Sequence, residues 1–178
     1  MPLVLAGATS GSTTIQATDA TTQTITLPAN SGTVITTAST FAGTGPAFRA
    51  YQSTAQSALT ANIETKILLQ TEDFDTNNNF ASSRFTPTVA GYYQINASMQ
   101  INGSTTVAYV ILYKNGSAYR YGSLVATTTN NPISTVSDIV YLNGSTDYIE
   151  MYGASGLSQA PAASSTLTSM SGCLIRGA

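Results

Sequence analysis

From residue 92 to 101, apolar and polar side chains alternate without a break. Tyr93, Ile95, Ala97, Met99 and Ile101 fall on one face, and Tyr92, Gln94, Asn96, Ser98 and Gln100 on the other. A period of two with one polar face predicts an antiparallel strand half open to water. Residues 105–114 behave differently. Val107, Tyr109, Ile111 and Tyr113 hold the odd positions, and Ala108, Val110 and Leu112 the even ones. Both faces are apolar, so both call for burial. One can cover the domain's own core. The other calls for a second cover, and a neighbouring subunit is the expected one.

The same pattern predicts strands at 47–51, 66–71, 84–86, 117–125, 135–142, 146–152 and 167–175, the last of them central in its sheet. Asn102-Gly103, Asn115-Gly116 and Asn143-Gly144 stand between apolar runs. Asn-Gly accepts positive φ at both central positions of a tight turn, so each predicts a hairpin. Residues 72–79, 126–133 and 153–165 read as polar loops, and no stretch has helical periodicity. Many short strands with regular turns predict an all-β sandwich or barrel over residues 47–178. Residues 41–46 read as a linker, with Gly43 and Gly45 before Pro46. Residues 1–40 are low in complexity, with short strand-like islands at 13–17, 23–28 and 32–37. None is long enough to bury a face alone, so this segment is expected to be an extended β arm that orders against a partner.

Composition narrows the function. Only 8% of the 178 residues are charged, about a third of the usual share, while serine and threonine supply roughly a quarter of the chain. Such a surface is polar but almost uncharged, which suits a permanent assembly. A net charge of −2 with six scattered Lys and Arg residues argues against nucleic-acid binding. No run approaches the ~20 apolar residues of a membrane span, and the start lacks the basic leader of a secretory signal. With no histidine in the chain, the commonest general base and the Ser-His-Asp arrangement are gone. Cys173 reads as a buried, inert thiol.

Candidate chemistry is thin. Glu72, Asp73 and Asp75 followed by Asn77, Asn78 and Asn79 offer oxygen ligands, but their spacing departs from the EF-hand pattern. The reading is a solvated loop, with no metal and no cofactor. No spacing pairs Glu64, Glu72 or Asp147 as acid and base. Tyr109, Tyr113, Tyr119, Tyr121, Tyr148 and Tyr152 invite a carbohydrate reading. Tyr109, Ile111 and Tyr113 suit a subunit contact better, which leaves Tyr119 and Tyr121 as candidate contacts to a host surface glycan.

Several spaced motifs resemble the C1q/TNF-like domain. These are Ala47-Phe48; Ile67-Leu68 with Phe74; the frame Phe85-x-Pro87-x-x-x-Gly91-x-Tyr93-x-Ile95; and Leu112-Tyr113-Lys114-Asn115-Gly116. Asp138 to Gly144 with Asp147-Tyr148-Ile149, and Ser171-Gly172-Cys173-Leu174 in the closing strand, continue the match in order. Two extra residues between Gly144 and Asp147, and Met170 where an aromatic is common, depart from the pattern. The resemblance implies a ten-strand antiparallel jelly roll that assembles as a compact homotrimer. The N-terminal segment, with residues 11–17 and Thr26-Leu27-Pro28-Ala29, resembles leading segments of bacteriophage virion proteins.

The resulting expectation is a non-enzymatic, homotrimeric capsid cement or decoration protein in the virion. Ile15, Ile25, Leu27, Val34 and Ile35 would dock the arm on the major capsid protein or another virion protein. The short segment before the knob, with no fibre shaft, favours a head protein over the alternative, the receptor-binding knob of a tail or head fibre.

Overall fold

The structure, a computed structural model, describes residues 3–6, 12–15, 45–126 and 130–178. The chain divides into two units, residues 1–39 and 40–178. In the first, β1 (Leu3–Ala6) pairs antiparallel with β2 (Ser12–Ile15), with Leu3 opposite Ile15. The sequence pattern marked the second of these strands and missed the first, whose four apolar residues do not alternate. The islands at 23–28 and 32–37, and the linker up to residue 44, lie outside the described residues.

The second unit is a sandwich of two antiparallel sheets. One runs β12 (Ile133–Asn143), β8 (Ala90–Gln100), β14 (Ser169–Gly177), β3 (Ala47–Tyr51) and β5 (Thr71–Asp75). The other runs β10 (Ser117–Tyr121), β9 (Val107–Lys114), β13 (Ile149–Ser155), β7 (Arg84–Phe85) and β6 (Phe80–Ala81). Here β11 (Val125–Ala126) also pairs with β9, and β4 (Thr65–Lys66) with β13. β14 lies between β8 and β3, the central place expected of it.

Period two decides what fills the gap. Tyr93, Ile95, Ala97 and Met99 of β8 meet Ala108, Val110 and Leu112 of β9 and Ile149 and Met151 of β13 in one buried cluster. At one end Phe48 stacks on Phe85 at 4.2 Å and on Phe80 at 5.1 Å, and Phe85 meets Tyr93 edge-on at 5.5 Å. The Tyr93 hydroxyl donates to the Val89 carbonyl at 2.6 Å. Burial pushes this phenol up to about 12.

Several sequence expectations are corrected. Residues 66–71 form no single strand: β4 ends at Lys66 and β5 begins at Thr71. Between them Ile67 and Leu69 are buried. Leu69 is held by Ser83, whose hydroxyl accepts from its N–H at 2.8 Å and donates to its carbonyl at 3.2 Å. The acidic stretch expected to be a loop is β5, paired with β3. The predicted strand 117–125 breaks at Gly122, where a Cβ would fall 2.4 Å from the Thr135 carbonyl oxygen. Of the three Asn-Gly pairs, only Asn115-Gly116 makes a two-residue hairpin, with φ of 52° and 78° and Lys114 facing Ser117. Asn102-Gly103 and Asn143-Gly144 carry the chain from one sheet to the other. Strand pattern and turn residues cannot distinguish a crossover between layers from a hairpin within one.

The aromatic stack yields a stability prediction. Phe85→Ala removes the ring that contacts both Phe48 and Tyr93. It is expected to lower unfolding free energy by about 3–5 kcal/mol, read as a shift in urea midpoint at unchanged m-value.

Candidate functional site

With core-facing positions fixed, the remaining side chains of each sheet form two outward faces. On the five-stranded sheet Tyr141 lies opposite Tyr92, and Ile139 opposite Gln94, which is in turn opposite Cys173. A register shift between Leu174 and Arg176 brings Ile175 into this group. Tyr92, Ile139, Tyr141 and Ile175 are 41–50% exposed. Together with Arg176, Gly177 and Ala178 they line an open depression of about 500 Å³. Tyr92 and Tyr141 pack at 5.5 Å, and the Lys114 ammonium donates to the Tyr141 carbonyl at 2.7 Å. One end of this face is therefore apolar across three adjacent strands. The other end is a hydroxyl and amide ladder, in which Gln94 donates to Ser137 at 2.9 Å and Ser137 donates to Asn96 at 2.8 Å.

The second sheet presents a different face. Tyr113 stacks on Tyr152 at 3.8 Å, and Tyr109 lies 6.1 Å from Tyr121. The Glu64 carboxylate, from the segment before β4, accepts hydrogen bonds from the Tyr113 hydroxyl and, at 2.9 Å, from the Tyr121 hydroxyl. The hydrogen bond to Glu64 raises the Tyr113 phenol well above its ordinary value and raises Tyr121 as well, because ionisation would set two negative groups side by side.

Beside this cluster Glu150 is almost fully buried, and one of its oxygens accepts from Lys66 Nζ at 2.7 Å and from Arg84 Nε at 2.9 Å. Arg84 Cζ lies over the Tyr148 ring, 3.8 Å from its centre. Burial alone would raise the Glu150 carboxyl. The hydrogen bonds and charges of Lys66 and Arg84 outweigh it and hold the carboxyl below its ordinary value. Asp147 is held low too, chiefly by the hydrogen bond from Asn115 and then by Lys114.

The expected subunit contact on β9 is corrected in part. Ile111 is wholly covered within one chain, flanked in register by Tyr152 and Tyr121. It has no surface left for a neighbour, while Tyr109 and Tyr113 keep part of theirs. Tyrosines of β10 and β13 flank this second face of β9, on which Val107, Tyr109 and Tyr113 stay half-buried. Sequence alternation detected the apolar face but could not say how much of it the chain itself covers. The exposed apolar patch lies on β8, β12 and β14, at Tyr92, Ile139, Tyr141 and Ile175, of which the sequence alternation placed only Tyr92, on the polar face of its strand.

Of the proposed glycan contacts, Tyr121 is tied to Glu64. Tyr119, at a bulge in β10, makes no side-chain hydrogen bond or ring contact among the described residues. Ile15 is the last residue of β2, while Ile25, Leu27, Val34 and Ile35 lie outside the described residues. Cys173, expected to be buried, is exposed. The oxygen-rich run 72–79 does not converge on one point: Asp73 pairs with Arg49, and Asp75 accepts from the Phe80 and Asn77 N–H groups. Among the described residues no three acidic, His or Cys side chains cluster in a way that could hold a metal ion.

Neither a protein-family model nor a curated protein matches the sequence. Solved structures match the backbone path. The globular domain of zebrafish complement 1qA protein is 14% identical with a TM-score of 0.59, covering 75% of this chain and 99% of that one. Murine APRIL at pH 5.0 is 9% identical with a TM-score of 0.60, covering 74% and 99%. Eiger TNF from S. frugiperda is 6% identical with a TM-score of 0.59, covering 75% and 95%. The fold is thus an antiparallel jelly-roll sandwich of C1q/TNF type, as the spaced motifs implied.

The buried carboxylate sets a pH dependence. Because Glu150 and Asp147 titrate lower in the folded chain than in the unfolded one, they contribute stability that is fully present above about pH 4.5 and lost as pH falls through their folded values. The urea midpoint is expected to fall between about pH 6 and about pH 3. Glu150→Gln is expected to flatten that fall and to cost up to about 3 kcal/mol near neutrality, since both cations keep access to water.

Proposed function

We propose that this protein is a non-enzymatic structural subunit, a homotrimeric decoration or cement protein of a bacteriophage capsid. The observation that carries the assembly reading is the exposed patch of Tyr92, Ile139, Tyr141 and Ile175 on adjacent strands of one sheet. Scattered apolar residues on a surface are ordinary, but a contiguous patch beside a polar ladder has the layout of a protein contact. The C1q/TNF-like fold supports a closed three-fold assembly as its form. The charge-poor surface supports a permanent component over a freely diffusing one.

The capsid role rests on the N-terminal segment. It is a separate unit of the chain, rich in threonine, and it resembles leading segments of virion proteins. Three such arms on one trimer would each reach a neighbouring capsid subunit, so weak individual contacts combine into firm attachment.

Two measurements test the reading. The intact protein is expected to sediment at three times its 18.4 kDa chain mass at micromolar concentration, with a slowly reacting Cys173 thiol. Ile139→Asp combined with Ile175→Asp is expected to give folded monomers with a fast-reacting thiol, since both positions are exposed in the single chain and change its own stability by about 0.5 kcal/mol or less. A wild-type monomer would overturn the trimer. Removing residues 1–40 is expected to leave the trimer intact and abolish its binding to capsids. Undiminished capsid binding would overturn the docking role.

A further inference from the structure

The hairpin β6–β7 and the neighbouring β4 enclose a second open depression, of about 480 Å³, lined by Lys66, Asn78, Ser82, Arg84, Thr86 and Thr88 among others. Its size falls in the ordinary small-molecule range of about 300–1,000 Å³. Of the chain's six cations, Arg49, Lys114 and Arg120 each face a carboxylate of their own: Asp73, Asp147 and Asp138. Lys66 and Arg84 share one, Glu150, while Arg176, in β14 of the other sheet, forms no ion pair among the described residues. This depression therefore carries one uncompensated positive charge.

The two cations are also fixed in place. Lys66 Nζ is held between Glu150 and the Ser82 carbonyl, at 2.7 and 2.9 Å. Arg84 is pinned through Nε to Glu150 and lies over the Tyr148 ring, which leaves both terminal amino groups of its guanidinium without a partner among the described residues. The Ser82 carbonyl is aimed by a strained turn. Ser82 and Ser83 adopt φ of 53° and 58° at the two central positions of the β6–β7 hairpin, where glycine or asparagine is the unstrained choice. Ser83 is explained by its paired hydrogen bonds to Leu69. Ser82 shares the turn, gives its carbonyl to Lys66 and lines the depression. Backbone strain of this kind costs about 1–3 kcal/mol per residue and concentrates at ligand clamps.

We propose that this depression binds a carboxylate-bearing sugar unit, a hexuronic or nonulosonic acid of a surface polysaccharide. A single excess charge matches a monoanion better than a phosphate dianion, and the free fork of Arg84 fits the two oxygens of a carboxylate. The hydroxyls of Ser82 and Thr86 and the amide of Asn78 fit ring hydroxyls. Arg84 contributes donors without having to be ordered on binding, which lowers the entropy cost. The site is on the sheet opposite the patch of Tyr92, Ile139, Tyr141 and Ile175, so covering that patch does not itself cover the site.

Calorimetric titration of the intact protein with trigalacturonate and with N-acetylneuraminate distinguishes the two sugar sources. Methyl glucoside and inorganic phosphate serve as the neutral and non-sugar probes. Saturable binding of at least one acidic sugar is expected, with no binding of methyl glucoside and weaker binding of phosphate. Arg84→Gln is expected to weaken it at least about tenfold. Asn78→Gly removes the amide, suits that residue's φ of 54°, and is expected to weaken binding severalfold with an unchanged urea midpoint. Failure of both acidic sugars to bind, tighter binding of phosphate, or undiminished binding by both variants would overturn the proposal. None of these outcomes bears on the sedimentation result that tests assembly.

Discussion

The stacking of Phe48 on Phe80 and on Phe85 joins the two layers of this fold. Phe48 belongs to the five-stranded sheet, and the other two rings flank the tight turn of the opposing sheet. Once those rings meet, the alternation of each strand is anchored. Every second residue must face inward, and its neighbours must face out. The two outward faces follow from that constraint. One carries an apolar patch with a hydroxyl ladder, and the other carries tyrosines clamped by Glu64 and a buried carboxylate shared by two cations.

Much of this was legible in the residues. The uninterrupted alternation of 92–101 gave one of the two longest strands of the core almost to the residue, and Ala47–Tyr51 was placed at its observed bounds. The Asn115-Gly116 turn and the central place of the last strand followed from turn chemistry and from the apolar tail. Other features were hidden for physical reasons. β5 has the composition of a loop because, as an edge strand, it leaves three of its five residues exposed. The exposed patch was hidden because Tyr92, Ile139, Tyr141 and Ile175 come from three separate segments, and only register brings them together. The shared carboxylate was hidden for the same reason: Lys66, Arg84 and Glu150 are far apart in the chain.

Low charge makes each ionic contact informative. In a chain with 8% charged residues, four of the acidic side chains among the described residues are drawn into ion pairs, and Glu64 is occupied by two phenols. Electrostatics here positions particular side chains and does little to keep the molecule apart from others. That role falls to hydroxyls and amides, which hydrogen-bond to water as readily as to a neighbouring protein surface.

The central position of β14 has a consequence for biosynthesis. It is the last strand of the sandwich to be translated, yet it separates β3 from β8, two strands made much earlier. Neither can satisfy its inner backbone groups until that segment is available, so the five-stranded layer cannot be completed before β14 has been made. Closure of that layer is thereby tied to synthesis of β14, and a copy truncated before this strand would keep two adhesive edges.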